Sequence, residues 1–169
     1  MTNERNLDNL VRRLKTSRNG QVAVAGVGNY NSPGSTFAVW EVDKNEPVLK
    51  FMEPEGAEAD LSPDGEWIAL SRFGTEKLVL FKWRTGERKE VLLRNSTSIS
   101  SVFWSPDGKR LAVYSGSILI YDTTNWKPIA HWGGQGSEFS FGKDGTLYQI
   151  RNNELNALDV PRLKRLADD

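Results

Sequence analysis

With 169 residues and 22 basic side chains against 22 acidic ones, the chain is large enough for one buried core and carries no net charge to draw it to nucleic acid or an acidic membrane. Its 38% hydrophobic and 26% charged residues describe a globular domain rather than a disordered segment. It has no cysteine, which excludes disulfides and thiolate metal sites, and no run approaches the roughly 18 apolar residues that span a bilayer.

The N-terminal "MTNERNLDNLVRRLKTS" lacks the apolar stretch of a secretory signal, so a cytoplasmic setting is expected. Leu7, Leu10, Val11 and Leu14 fall on one face of a helix, whereas "RRLKT" (12–16) reads as a strand ahead of a turn. A short N-terminal helix ending near Arg12, then a strand, satisfies both patterns. "TSRNGQVAVAG" (16–26) is a strand, an Asn-Gly reversal and a second strand. In "AGVGNYNSPGS" (25–35), Asn31 stands where a dinucleotide fingerprint needs glycine, so the segment reads as a loop. Tyr30 at its tip is a candidate partner-binding residue. "FAVWE" (37–41) and "PVLKFM" (47–52) are the next two strands.

The same order returns. "EADL" (58–61) leads into "LSPDGEWIALS" (61–71), then "LVLFK" (78–82) and "KEVLLR" (89–94). "SSVFW" (100–104) leads into "WSPDGKRLAVYS" (104–115), "ILIYD" (118–122) and "PIAHWG" (128–133). "SEFSF" (137–141), "FGKDGTLYQI" (141–150), "LNALD" (155–159) and "RLKRL" (162–166) complete the series. In "DTTNWKP" (122–128), Trp126 sits in a turn. It is a second candidate partner-binding residue, as exposed aromatic anchors are common at interfaces; the alternative is a ring folded back over the edge of the sheet.

Two columns of this series keep a common period of about 40 residues. One holds Gly20, Gly65, Gly108 and Gly145; the other holds Trp40, Phe81, Tyr121 and Leu158. The units run approximately 17–60, 61–103, 104–140 and 141–166. The fold class is therefore all-β, built of blades of four short antiparallel strands. One such sheet cannot hide both faces, and radial stacking buries them. A β-sandwich also has regularly spaced strands but does not predict this repeat. "WSPDGKRLAV" and the Tyr121-Asp122 pair, where a Trp-Asp would stand, resemble the WD-repeat and TolB-like β-propeller superfamily over roughly residues 12–166. The resemblance implies a propeller.

The fourth unit ends after its third strand. Residues 12–16 are a candidate to complete that last blade, as in propellers closed by a shared blade. Three assemblies fit: a compact four-bladed ring, two chains forming an eight-bladed ring, or half of a propeller finished by another protein or sequence segment. In an open stack the uncovered end faces are expected to carry Val22, Val24, Val39, Leu147, Ile150 and Leu158.

No catalytic, cofactor-binding or metal-binding residue is assigned. His131 is the only histidine and lies in a predicted strand, with no nucleophile elbow around any serine. Asp64, Asp107 and Asp144 recur at one turn position, where a carboxylate accepts backbone hydrogens of its own turn. Arg12, Arg13, Lys15 and Arg18, with Arg162, Lys164 and Arg165, read as solvated charge. The expected function is a non-enzymatic protein-interaction scaffold that binds a protein partner or a second copy of itself, with neither nucleic acid nor membrane as partner. The alternative is a propeller hydrolase fragment or an accessory propeller domain of an enzyme such as a peptidase.

Overall fold

The computed structural model of the chain describes residues 11–27, 34–53, 57–72, 74–93, 99–132, 138–151 and 154–158. They form four antiparallel sheets arranged as the blades of a β-propeller. Blade one is β1 (Val11–Thr16), β2 (Val22–Val27), β3 (Ser35–Glu41) and β4 (Leu49–Glu53). Blade two is β5 (Ala57–Leu61), β6 (Trp67–Arg72), β7 (Lys77–Lys82) and β8 (Glu87–Leu92). Blade three is β9 (Ser101–Trp104), β10 (Arg110–Tyr114), β11 (Ile118–Asp122) and β12 (Pro128–Trp132). Blade four, among the described residues, is β13 (Glu138–Phe141), β14 (Leu147–Arg151) and β15 (Glu154–Leu158).

The described residues contain no helix. Val11 and Leu14, half of the predicted helical face, lie in β1; Leu7 and Leu10 lie outside the described residues. Residues 12–16 do not complete the last blade either. They belong to β1, which pairs with β2 through Leu14 opposite Ala25 and Thr16 opposite Ala23. The Asn-Gly turn makes this hairpin local, and a local pairing closes a shorter loop than one reaching across the chain. Every sheet begins with the strand ahead of its turn, so blades start one strand earlier than units drawn from the turn glycines.

The turns explain why the repeat exists. In blade three the Ser105 hydroxyl donates to Asp107 Oδ1 (2.6 Å) and accepts from the Arg110 amide (2.9 Å), while the Lys109 amide donates to Asp107 (3.0 Å). Gly108 takes φ +71°, a region that disfavours any residue with a Cβ. Ser62, Asp64 and Gly65 repeat this wiring in blade two. Ser17, Asn19 and Gly20 repeat it in blade one, with the Asn19 carbonyl in the role of the carboxylate. In blade four Gly142 replaces the serine and the turn closes one residue earlier, from Gly142 N–H to the Thr146 carbonyl. That deletion shifts β14 by one position relative to the turn glycine.

Strand alternation gives each blade a rear face toward the preceding blade and a forward face toward the next. Val22, Val24, Phe37 and Val39 on the forward face of blade one meet Ile68, Leu70, Val79 and Phe81 on the rear face of blade two. Ala69, Leu78, Leu80 and Val91 meet Leu111, Val113, Leu119 and Tyr121 of blade three. Ala112, Ile118, Ile120 and Ala130 meet Phe139, Leu147 and Leu158 of blade four. Val22, Val24, Val39, Leu147 and Leu158, expected on bare end faces, are thus interior. Ile150 is exposed as expected.

Candidate partner-binding surfaces

The four inner strands converge at the end where the Ser-Pro-Asp-Gly turns lie. A cavity of about 300 Å³ opens there and takes its walls from all four blades. Each blade contributes the last two residues of its inner strand: Lys15 and Thr16, Asp60 and Leu61, Phe103 and Trp104, Ser140 and Phe141. The second residue of each turn forms the rim: Arg18, Pro63, Pro106 and Lys143. The central blades place prolines there and the outer blades place cations.

Asp60 organises the floor. Its carboxylate lies 3.7 Å from Lys15 Nζ of blade one and accepts the Trp104 amide of blade three at 2.7 Å. Burial pushes its carboxyl above the ordinary carboxylate value, opposed by Lys15 and the two backbone amides of Trp104 and Leu61. Lys15 Nζ also sits 4.8 Å from the Phe103 ring centre. Two residues back along the same two strands, Arg13 pairs with Glu58 at 2.6 Å. Lys15 is therefore neutralised by Asp60, whereas Arg18 and Lys143 hold exposed positive charge on the rim. The Arg18 backbone is fixed by its amide donating to the Pro63 carbonyl at 3.1 Å.

The two residues singled out in the sequence lie elsewhere. Tyr30 falls outside the described residues. Trp126 adopts φ +59°, and its half-buried ring meets Trp104 edge-on at 6.4 Å. It packs on the side of the blade two–three core and stays partly open to solvent. The basic residues read as one solvated cluster divide into paired Arg13 and Lys15 and rim-facing Arg18. Arg12's side chain and residues 162–165 lie outside what is described. Sequence reading took Arg18 as solvated charge and did not single out Lys143; the signal was the turn column itself, in which both occupy the proline position. His131 is exposed on β12, away from the cavity. Asp64, Asp107 and Asp144 each accept a backbone amide within their own turn. No described helix is long and apolar enough to cross a membrane.

A second surface is apolar. Leu14 and Met52 on the rear face of blade one, and Ile150 and Leu155 on the forward face of blade four, are exposed.

No protein-family model and no curated protein matches the sequence. Among solved structures the chain is similar to Kuenenia stuttgartiensis hydrazine synthase, with a TM-score of 0.71 and 15% identity. The match covers 94% of this chain and 59% of that one, so this chain spans about three fifths of its neighbour's length. The likeness is one of fold.

Proposed function

We propose that the chain is a non-enzymatic protein-interaction unit, an arc of WD-repeat-like blades in a cytoplasmic setting, whose mouth receives an acidic segment of a protein partner. The observation that carries this reading is the rim. Arg18 and Lys143 stand on rigid turns either side of a cavity walled by Phe103, Trp104 and Phe141. Guanidinium and ammonium groups bind carboxylates, and aromatic walls supply apolar contact at small entropic cost. The turn wiring holds the rim in place before binding, which lowers the ordering cost of association.

A short oligoglutamate peptide with a central leucine, titrated while tryptophan fluorescence is recorded, tests the reading. Saturable binding that weakens with salt and falls at least tenfold in an Arg18→Glu/Lys143→Glu variant supports it. Equal binding by wild type and variant, or equal binding of an oligolysine control, sinks it.

A further inference from the structure

We propose that the acidic segment inserts one carboxylate side chain into the mouth and takes Lys15 from Asp60, and that Asp60 takes up a proton from solvent as it does so. This inference rests on the reading of the mouth as a site for an acidic segment, and it assigns the anion-binding group at the floor. The rim cations Arg18 and Lys143 hold such a segment at the entrance, and Lys15 and Asp60 line the cavity that they border.

The pair at the floor is loose. Lys15 Nζ stands 3.7 Å from Asp60 Oδ1, beyond the roughly 2.7–2.9 Å of a charge-assisted hydrogen bond. Arg13 and Glu58, on the same two strands, pair at 2.6 Å. The Lys15 side chain keeps 31% of its surface exposed and that of Asp60 14%, so the ammonium is the member more open to an entering group. It rests 4.8 Å from the Phe103 ring centre, and an aromatic face attracts a cation with or without a carboxylate beside it. Asp60 is tied independently of Lys15. Its Oδ2 accepts the Trp104 amide at 2.7 Å, a bond that a neutral carboxyl keeps through its carbonyl oxygen.

An entering anion favours the neutral form of Asp60. Two carboxylates sharing one site raise each other's proton affinity, and burial already disfavours the charged form here. Once protonated, Asp60 presents an O–H beside the Lys15 ammonium, two neighbouring donors for the two oxygens of one carboxylate. The surrounding charges leave this role to Asp60. Among the strands packed against β5, β1 brings Lys15 and also Arg13, which is paired with Glu58 of β5 itself. The arginine of β6, Arg72, is paired with Glu53 and Glu90, and β2 and β9 carry no charged residue. Size limits what enters. About 300 Å³ is the lower end of the range for ligand pockets, room for a side chain rather than a folded segment. The walls of Phe103, Trp104 and Phe141 keep the local dielectric low, which strengthens each charged contact made inside.

Titration calorimetry of the full chain at pH 8, 7, 6 and 5.5 tests this, with a peptide of cysteic acids around a central leucine as the probe. Its sulfonates stay ionised at each pH, so a pH dependence belongs to the protein. Wild-type affinity should rise at least fivefold from pH 8 to pH 5.5; one linked proton sets a ceiling of about tenfold per pH unit. Asp60→Asn should bind at least fivefold more tightly than wild type at pH 8 and change less than twofold across the range. Lys15→Met should weaken binding at least tenfold at pH 5.5, with Arg18 and Lys143 intact and circular dichroism unchanged. His131→Gln, at the chain's one histidine and outside the cavity, should keep the wild-type slope. If Asp60→Asn fails to fold, the wild-type slope and Lys15→Met decide. Absence of saturable binding at every pH overturns this inference together with the reading it rests on. Binding that needs Arg18 and Lys143 but is flat with pH in the wild type, or is indifferent to Lys15→Met, overturns this inference alone.

Discussion

Asp60 Oδ2 accepts the backbone amide of Trp104 at 2.7 Å, and this single bond ties the inner strand of blade two to that of blade three. The same carboxylate reaches Lys15 of blade one. One buried acid therefore spans three blades at the point where the cavity begins. Its proton affinity is raised by burial. For an acid whose folded value exceeds its unfolded one, stability is highest below the ordinary value near 3.8 and declines as pH rises through the folded value. Asp60→Asn keeps an acceptor for Trp104 and removes the buried charge. Stability measured by urea unfolding between pH 4 and 7 should shift in favour of the variant as pH rises. A difference that stays flat across that range counts against a strained carboxylate.

Gln149 is the one residue at its position that breaks the pattern of the rear faces. It lies on β14 where Leu70 and Val113 stand in blades two and three, is 1% exposed, and neither amide atom has a hydrogen-bond partner. An unsatisfied buried amide costs about 1–3 kcal/mol. Gln149→Leu restores the apolar residue of the repeat and should raise stability by about that amount, read as a higher urea midpoint at unchanged slope. A lower midpoint would show that the amide has a use in the joint.

The turn glycines differ in what surrounds them. Gly65 and Gly108 share φ values of +76° and +71°. A Cβ on Gly65 would stand 3.1 Å from both Ser17 Cβ and Val22 Cγ2 of the neighbouring blade, whereas on Gly108 the nearest atom is Pro63 Cδ at 3.7 Å. Gly108→Ala should cost about 1–2 kcal/mol of backbone strain alone. Gly65→Ala adds a clash within the blade one–two joint and should cost more. Equal melting midpoints for the two variants would place the blades further apart than they are here.

Most of the architecture was legible because its cause is local. Ser-Pro-Asp-Gly and its Asn-Gly counterpart specify a turn by their own hydrogen bonds, and a repeated turn with alternating strands specifies a blade. The faces were harder. Val22 and Val39 were expected outside because sequence gives the alternation but not which side meets the next blade. In β14, Leu147 and Ile150 were both expected on the open face, but residues three apart on a strand point to opposite faces, and only Ile150 is exposed. The closing role given to residues 12–16 failed for a related reason: a strand's rank in its sheet depends on hairpin connection, which the column alignment did not weigh. The mouth is assembled from four segments far apart in sequence, and only the proline column, filled by Arg18 and Lys143 in the outer units, pointed to it.

Asn19 in blade one shows what a neutral amide does at the turn position. Its Oδ1 accepts the Ser17 hydroxyl at 2.7 Å and the Gln21 amide at 3.1 Å, matching the bonds of Asp107 to Ser105 and Lys109. For Asp107, burial raises the carboxyl, but the Ser105 hydroxyl, the Lys109 amide and the charges of Arg110 and Lys109 outweigh it and leave it lowered. A lowered acid contributes stability above its unfolded value, lost as pH falls through the folded one. Asp107→Asn should therefore change stability at pH 7 by less than about 1 kcal/mol, because the hydrogen bonds survive. It should also flatten the loss of stability below pH 4 relative to wild type. Asp107→Ala removes both bonds and should cost about 1–2 kcal/mol at pH 7. Urea unfolding of the three proteins at pH 7 and at pH 3 separates these outcomes. If Asn and Ala prove equally costly at pH 7, the turn depends on the charge itself and not on the acceptor it carries.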